Sequence, residues 1–214
     1  LDKYQTTIDT FSRLADQYQS KYLDNAVYRE TYADLCELIR LDQTSLLDIG
    51  CGPGSVSLFV ATQFPRIKVT GFDPAPKMVE LACKNLPAGN FFTLDARSIS
   101  ADNENFERES FDIITCGFCI PYLAAADVEE LLTQCAELIR ENGLFYLSFM
   151  ESDGQDARMV KNDRGDEVFI YNHDTEVVKS ELSKNGFSLI YENRKKLDPD
   201  NEQADTDLFL IARK

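Results

Sequence analysis

The chain has 214 residues, 43% of them hydrophobic, and a formal net charge of -15. That size and composition suit a globular fold with its own core and exclude a disordered chain. The acidic balance opposes phosphate backbones, the basic run Arg194-Lys195-Lys196 reads as a solvated strand end, and no apolar stretch is long enough to span a bilayer, so neither nucleic acid nor membrane is expected as a partner.

Residues 8, 11, 15, 18 and 22 (Ile8, Phe11, Ala15, Tyr18, Tyr22) recur at three- and four-residue steps and predict an amphipathic N-terminal helix. A second helix is expected over 26–40, with Tyr28, Tyr32, Leu35 and Ile39 on one stripe. The first strand is 45–49, followed by a helix from Ser55 to about Phe64 that Pro65 stops. The second strand is 68–72, the next helix 76–86 and the third strand 90–94. The fourth strand is 111–116 and the helix after it 126–141, with Gly143 at its end. The fifth strand is 144–150. Residues 159–161 and 168–171, around the turn Asp163-Arg164-Gly165-Asp166, read as a β-hairpin inserted within 151–173. Asp174-Thr175 caps a helix to about 185, which Gly186 ends. Strands at 187–192 and 207–212 are joined by a charged loop without a helix, which permits antiparallel pairing of the last strand.

Alternating strands and helices of this kind predict an α/β fold: parallel strands, right-handed crossovers, helices on both sheet faces. The organisation expected is an N-terminal helical lid, 1–43, on a core of 44–214. The chain starts at Leu1 with no charged-then-apolar leader, and its six cysteines, several in apolar segments, fit a reduced cytoplasmic setting. Cys116-x-x-Cys119 has the spacing of a redox or zinc pair, but zinc needs two more ligands and the chain has one histidine, so no metal is expected.

The informative turn is Asp48-Ile49-Gly50-Cys51-Gly52-Pro53-Gly54. A glycine-rich strand-to-helix turn lets a ligand approach backbone N–H groups. The third glycine arrives one residue too early for the dinucleotide fingerprint, no Gly-Lys-Ser/Thr follows, and Asp48 would repel a pyrophosphate. A carboxylate there suits a cationic ligand, which disfavours a nicotinamide dehydrogenase.

This turn resembles the first motif of the class I S-adenosylmethionine-dependent methyltransferases, and the resemblance runs from about residue 44 to 150. It implies a three-layer α/β/α Rossmann-like fold with a seven-stranded, mostly parallel sheet of order 3-2-1-4-5-7-6 and an antiparallel strand seven. It implies S-adenosylmethionine as methyl donor and S-adenosylhomocysteine as product. Asp48, Gly50, Cys51, Gly52 and Gly54 would face the methionine part. Asp73 would accept both ribose hydroxyls, as a carboxylate with two oxygens can. Asp95 and the Ala96 N–H would meet adenine, Pro74 and Met78 the adenosine side, and the stretch 116–122, beginning at Cys116, the methionine end and the acceptor; a core role for Met78 is the alternative. Asp112, at a strand start, is read as structural.

Methyl transfer from a sulfonium is an in-line displacement that needs alignment and exclusion of water more than a catalytic side chain. The Asn/Asp-Pro-Pro-aromatic motif of nucleic-acid amino-methylating enzymes is incomplete at Cys119-Ile120-Pro121-Tyr122. The Pro-Cys of cytosine-carbon enzymes is absent, as are strand-four carboxylates for a catechol-type metal. A small-molecule acceptor is therefore expected, its atom and the oligomeric state left open. His173 is a candidate base, with a helix-start role as the alternative. Tyr22, with Tyr18 four residues earlier, is a candidate lid residue touching donor or acceptor, with ordinary packing as the alternative. The rival functions are a catalytically silent S-adenosylmethionine-binding regulator or partner and an aminopropyl transferase of the same fold.

Overall fold

Residues 208–212 run Leu-Phe-Leu-Ile-Ala without polar alternation, the mark of a strand covered on both faces. The computed structural model describes residues 2–102, 105–152, 157–161, 165–196 and 206–214. Its helices are α1 (Lys3–Tyr22), α2 (Ala26–Leu38), α3 (Ser55–Gln63), α4 (Pro76–Asn85), α5 (Ala125–Leu138) and α6 (Thr175–Lys184). Its strands are β1 (Ser45–Ile49), β2 (Lys68–Asp73), β3 (Asn90–Thr93), β4 (Phe111–Gly117), β5 (Ile139–Ser152), β6 (Arg158–Lys161), β7 (Glu167–Ile170), β8 (His173–Asp174), β9 (Ser188–Lys196) and β10 (Thr206–Arg213).

The main sheet has the order β3-β2-β1-β4-β5-β10-β9. β1 to β5 pair in parallel, and β10 is antiparallel to both β5 and β9. This is the expected order 3-2-1-4-5-7-6 with a reversed seventh strand. Along β10, Leu208, Leu210 and Ala212 face one core with α5 and α6, while Phe209 and Ile211 face the other with α2 and α3. Helices thus cover both faces, giving three layers. α1 lies outside this arrangement: Ile8, Phe11, Ala15 and Tyr18 pack on Ala75, Met78 and Leu81 at α4.

Four expectations need correction. The helix expected over 126–141 ends at Leu138, because Ile139 is already extended and pairs with Phe111. The chain then bulges before Ile113 pairs with Leu144, with Asn142 at φ 64°. Gly143 lies inside β5 and ends no helix; a Cβ there would sit 2.8 Å from the Arg140 carbonyl oxygen and 3.0 Å from that of Asp112. Helix α2 stops at Leu38, before 40, where Ile39 turns extended. The sixth long strand runs past 192 to Lys196, since Lys195 and Lys196 stay in register with Asp207 and Thr206. Its basic end is paired: Arg194 with Glu151 and Glu192, Lys195 with Glu30.

The inserted hairpin is formed by β6 and β7, antiparallel. Asp163 and Arg164 of its turn, and the loop 197–205, lie outside the described residues. His173 and Asp174 add a two-residue strand parallel to the end of β5, and Asp174 then caps α6 through the N–H groups of Glu176 and Val177. No helix among the described residues is long and apolar enough to cross a membrane.

Candidate active site

The carboxyl ends of β1, β2 and β4 meet at the loop 50–54. Parallel strands open into a crevice at that edge, so groups there converge on one point. The loop is stitched to its neighbour by the Cys51 N–H on the Phe72 carbonyl, 2.9 Å. Gly50 has φ 62°, and a Cβ on it would lie 2.8 Å from the Cys119 Sγ, so only glycine lets the β4 loop come this close. Gly52, φ 52°, differs: a Cβ there would meet only the edge of Tyr18, at 4.0 Å. Its open side is space for a ligand.

Asp73 closes the cradle. Its Oδ2 accepts from the Gly52 N–H and its Oδ1 from the Ala75 N–H, each at 2.9 Å. Each carboxylate oxygen keeps a lone pair for a further donor. Burial pushes the Asp73 pKa up to about 6 against the pull of those two N–H groups. Asp48 is also raised to about 6 by burial, although the Ser57 and Thr115 hydroxyls donate to it at 2.5 and 2.8 Å. It ties β1 to β4 and to the start of α3. Neither carboxylate forms one of the ion pairs found among the described residues, which suits a ligand that brings positive charge.

A cavity of about 530 Å³, mouth included, lies over this cradle. Ligand sites commonly span a few hundred cubic ångströms with a mostly apolar lining and few polar groups. Gly50, Gly52 and Asp73 form its floor, Pro74 and Met78 one wall, and Ile8, Phe11 and Tyr18 of α1 its roof. A neighbouring space is lined by Tyr18, Tyr22, Tyr28, Asp48, Cys51 and Phe118. The rings form a continuous wall: Tyr18 and Tyr22 have centroids 4.6 Å apart, and Tyr28 and Phe118 5.0 Å. Phe118 holds φ 52°, a strained value for a bulky residue, and its N–H is fixed 2.9 Å from the Ser148 carbonyl. The strain turns its ring onto Tyr28.

The structure brings together Asp48, Gly50, Cys51, Gly52, Asp73, Pro74, Met78, Tyr18 and Tyr22 of the expected site. Gly54 starts α3 behind them and packs on Ala82. Asp95, Ala96, Cys116 and His173 line neither space. The Asp95 carboxylate binds the Arg97 N–H and guanidinium, which itself lies 3.7 Å over the Tyr4 ring. Cys116 is buried beneath Cys119, whose thiol bonds to it, and all six cysteines are free thiols. The buried His173 Nε2 is 2.8 Å from the Ile120 carbonyl, and burial lowers its pKa. Among the described residues no group of three or more His, Cys, Asp or Glu side chains is placed to hold a metal.

The sequence points to Phe118 only within the stretch 116–122, and to neither Tyr28 nor Asp207 as site residues. Tyr28 is legible in the sequence only as one member of a helix stripe. Asp207 comes to this edge only because β10 runs antiparallel, which sets it opposite Met150 near the carboxyl end of β5.

This sheet order, with the glycine cradle and buried acids at its carboxyl edge, is that of the Rossmann-like methyltransferase fold. Residues 46–143 match the family model described as a methyltransferase domain. In fold the chain is similar to the class I S-adenosylmethionine-dependent methyltransferases. It is 28% identical over 136 residues to a demethylmenaquinone methyltransferase of Thermotoga maritima, covering 62% of this chain and 56% of that protein. It is 33% identical over 108 residues to a ubiquinone biosynthesis O-methyltransferase of Rhizobium leguminosarum, 50% of this chain and 41% of that one. The chain thus spans about half the length of these curated relatives. Among solved structures, the 1,6-didemethyltoxoflavin-N1-methyltransferase of Burkholderia thailandensis, with its acceptor and S-adenosylhomocysteine bound, superposes with a TM-score of 0.71 at 20% identity, covering 98% of this chain and 88% of that one.

Proposed function

We propose that the protein transfers a methyl group from S-adenosylmethionine to a small-molecule acceptor by in-line displacement. The observation that carries this is the Asp73–Gly52 cradle: a buried carboxylate with a lone pair left on each oxygen, beside a glycine whose open side faces the cavity. The residues fit the donor. Asp73 would take the ribose hydroxyls, the backbone of 50–52 the methionine part, and Pro74 and Met78 the apolar side of adenosine. Asp95 and Ala96 would lie at the adenine edge. Bound there, the donor supplies a methyl already activated on a sulfonium.

The protein's own part is alignment and exclusion of water. Tyr18 and Phe11 roof the cavity, and Tyr22, Tyr28 and Phe118 wall the side where an acceptor would approach. We assign His173 to bracing the turn 120–122 through the Ile120 carbonyl, since it lines neither space. The similarity to a demethylmenaquinone methyltransferase, a ubiquinone biosynthesis O-methyltransferase and a 1,6-didemethyltoxoflavin-N1-methyltransferase supports a small acceptor. Free thiols throughout support a reducing, cytoplasmic setting.

Calorimetry tests the donor site. S-adenosylmethionine and S-adenosylhomocysteine should both bind, and Asp73→Asn should weaken both by about 1.5–3 kcal/mol, the scale of a hydrogen bond to a charged group. Absence of binding by the unmodified protein would refute the proposal.

A further inference from the structure

One buried acid at the site plays no part in the donor cradle. Asp207 is 5% exposed and accepts a hydrogen bond from the Tyr28 hydroxyl, 3.0 Å away and also buried. It stands on the same face of β10 as Phe209, against which both Tyr28 and Phe118 pack. Tyr28 lines the space that also contains Gly50 and Gly117, at the ends of β1 and β4. Its ring lies 5.0 Å from Phe118 and 6.1 Å, stacked, from Tyr22. A carboxylate buried behind a phenol, in a wall of rings beside the donor cradle, is a costly arrangement for packing alone.

Two properties narrow the acceptor. Stacked and tilted rings favour a flat aromatic partner in offset contact. The Asp48, Asp73 and Asp207 charges, within a molecule of formal charge -15, oppose an anionic one. What suits both is a neutral aromatic molecule with an acidic X–H to surrender.

We infer that the acceptor is an aromatic hydroxyl compound seated against Tyr22, Tyr28 and Phe118, and that Asp207, acting through Tyr28, takes its proton. This rests on the methyl-transfer reading above. A lone pair of the acceptor oxygen forms the new O–CH₃ bond as the C–S bond breaks, its electron pair staying on the sulfur. The acceptor's proton moves to the Tyr28 oxygen while Tyr28 passes its own proton to the Asp207 Oδ2. Tyr28 touches the acceptor and is the catalytic residue; Asp207 is a positioning residue that drains the proton. Burial and the Asp207 charge hold the Tyr28 phenol well above its ordinary pKa, so Tyr28 relays a proton without resting as a phenolate.

The test uses labelled S-adenosylmethionine and two probes. The hydroxyl of 4-methylphenol is un-ionised at neutral pH and needs a base, whereas 4-nitrophenol, partly ionised there, enters as the neutral form and gives up its far more acidic proton with little help from one. Asp207→Asn and Tyr28→Phe should each slow turnover of 4-methylphenol about a hundredfold or more, and that of 4-nitrophenol by less than about threefold. Affinity for S-adenosylhomocysteine, measured by calorimetry, should stay within about threefold, which shows that the variants fold. Equal losses on both probes would mark the pair as structural and overturn the inference, as would no loss on 4-methylphenol. Methyl transfer to benzylamine but to neither phenol would also overturn it, and so would no transfer to either phenol by an unmodified protein that binds S-adenosylhomocysteine. Failure to bind S-adenosylhomocysteine would instead refute the donor site.

Discussion

At the residue scale the site is governed by two acids that burial makes hard to ionise. In an unfolded chain a carboxyl of this type titrates at about 3.9; folded, Asp48 and Asp73 are each pushed up to about 6. Between those values the folded protein holds more protons. The two groups therefore stabilise the ligand-free fold fully below the unfolded value, and that contribution is lost as pH rises through about 6. Donor binding has the opposite sign, because a sulfonium and an ammonium favour ionised carboxylates. Moving from about pH 7.5 to about pH 5 should weaken S-adenosylmethionine more than S-adenosylhomocysteine, which lacks the sulfonium charge. Calorimetry at both pH values measures this, and an equal loss for the two ligands would contradict it. His173 gives a second prediction at this scale. Its Nε2 is spent on the Ile120 carbonyl, so His173→Ala should lower the melting temperature and leave methyl turnover within about threefold. A large fall in turnover with unchanged stability would return it to the mechanism.

At the element scale the question is what holds α1 over the cavity. It is tied to the hairpin: Arg13 pairs with Asp166, Thr7 Oγ1 accepts from the Phe169 N–H at 3.0 Å, and Lys3 lies 4.1 Å over the Phe169 ring. Its inner face gives Phe11 and Tyr18 to the roof. A few side-chain ties and a small apolar contact hold it, fewer than hold the sheet, so α1 opens before the core does, and a donor filling the cavity would add contacts to its inner face. Limited trypsin digestion should cut α1 at Arg13 and Lys21 in the free protein and more slowly with S-adenosylhomocysteine; unchanged cutting would show that α1 is no lid. The α1 stripe was legible in the sequence because a three-to-four residue period survives any tertiary context. The α5–β5 corner was not, because Leu138 and Ile139 continue the helical period while the backbone has already turned extended. Only the register jump between Phe111 and Ile113 reveals it.

At the scale of the whole molecule, sheet order and the glycine–carboxylate cradle were readable because each is local: strand–turn–helix units fix the parallel order, and Asp48 to Gly54 with Asp73 encode the cradle. The wall of rings beside it was not, because Tyr28, Phe118 and Asp207 come from a helix, a strained loop and the last strand. Only the antiparallel return of β10 joins them. What composition does encode globally is charge. Asp and Glu number 37 against 22 Lys and Arg. Folding concentrates that excess, whereas the unfolded chain spreads it, so repulsion weighs on the native state. Salt shortens the reach of exposed charges from about 30 Å at 0.01 M to about 8 Å at 0.15 M. Most of the ion pairs among the described residues reach solvent, as Lys77–Glu80 and Arg29–Asp24 do, and add little stability for salt to remove. Relief of repulsion should therefore win, and the melting temperature should rise by a few degrees as sodium chloride goes from about 0.01 to about 0.15 M. A scanning calorimetry series at fixed pH, with a neutral osmolyte control, measures it. A fall in melting temperature would mean that the ion pairs, notably the Arg194 bridge between Glu151 and Glu192, outweigh the net charge.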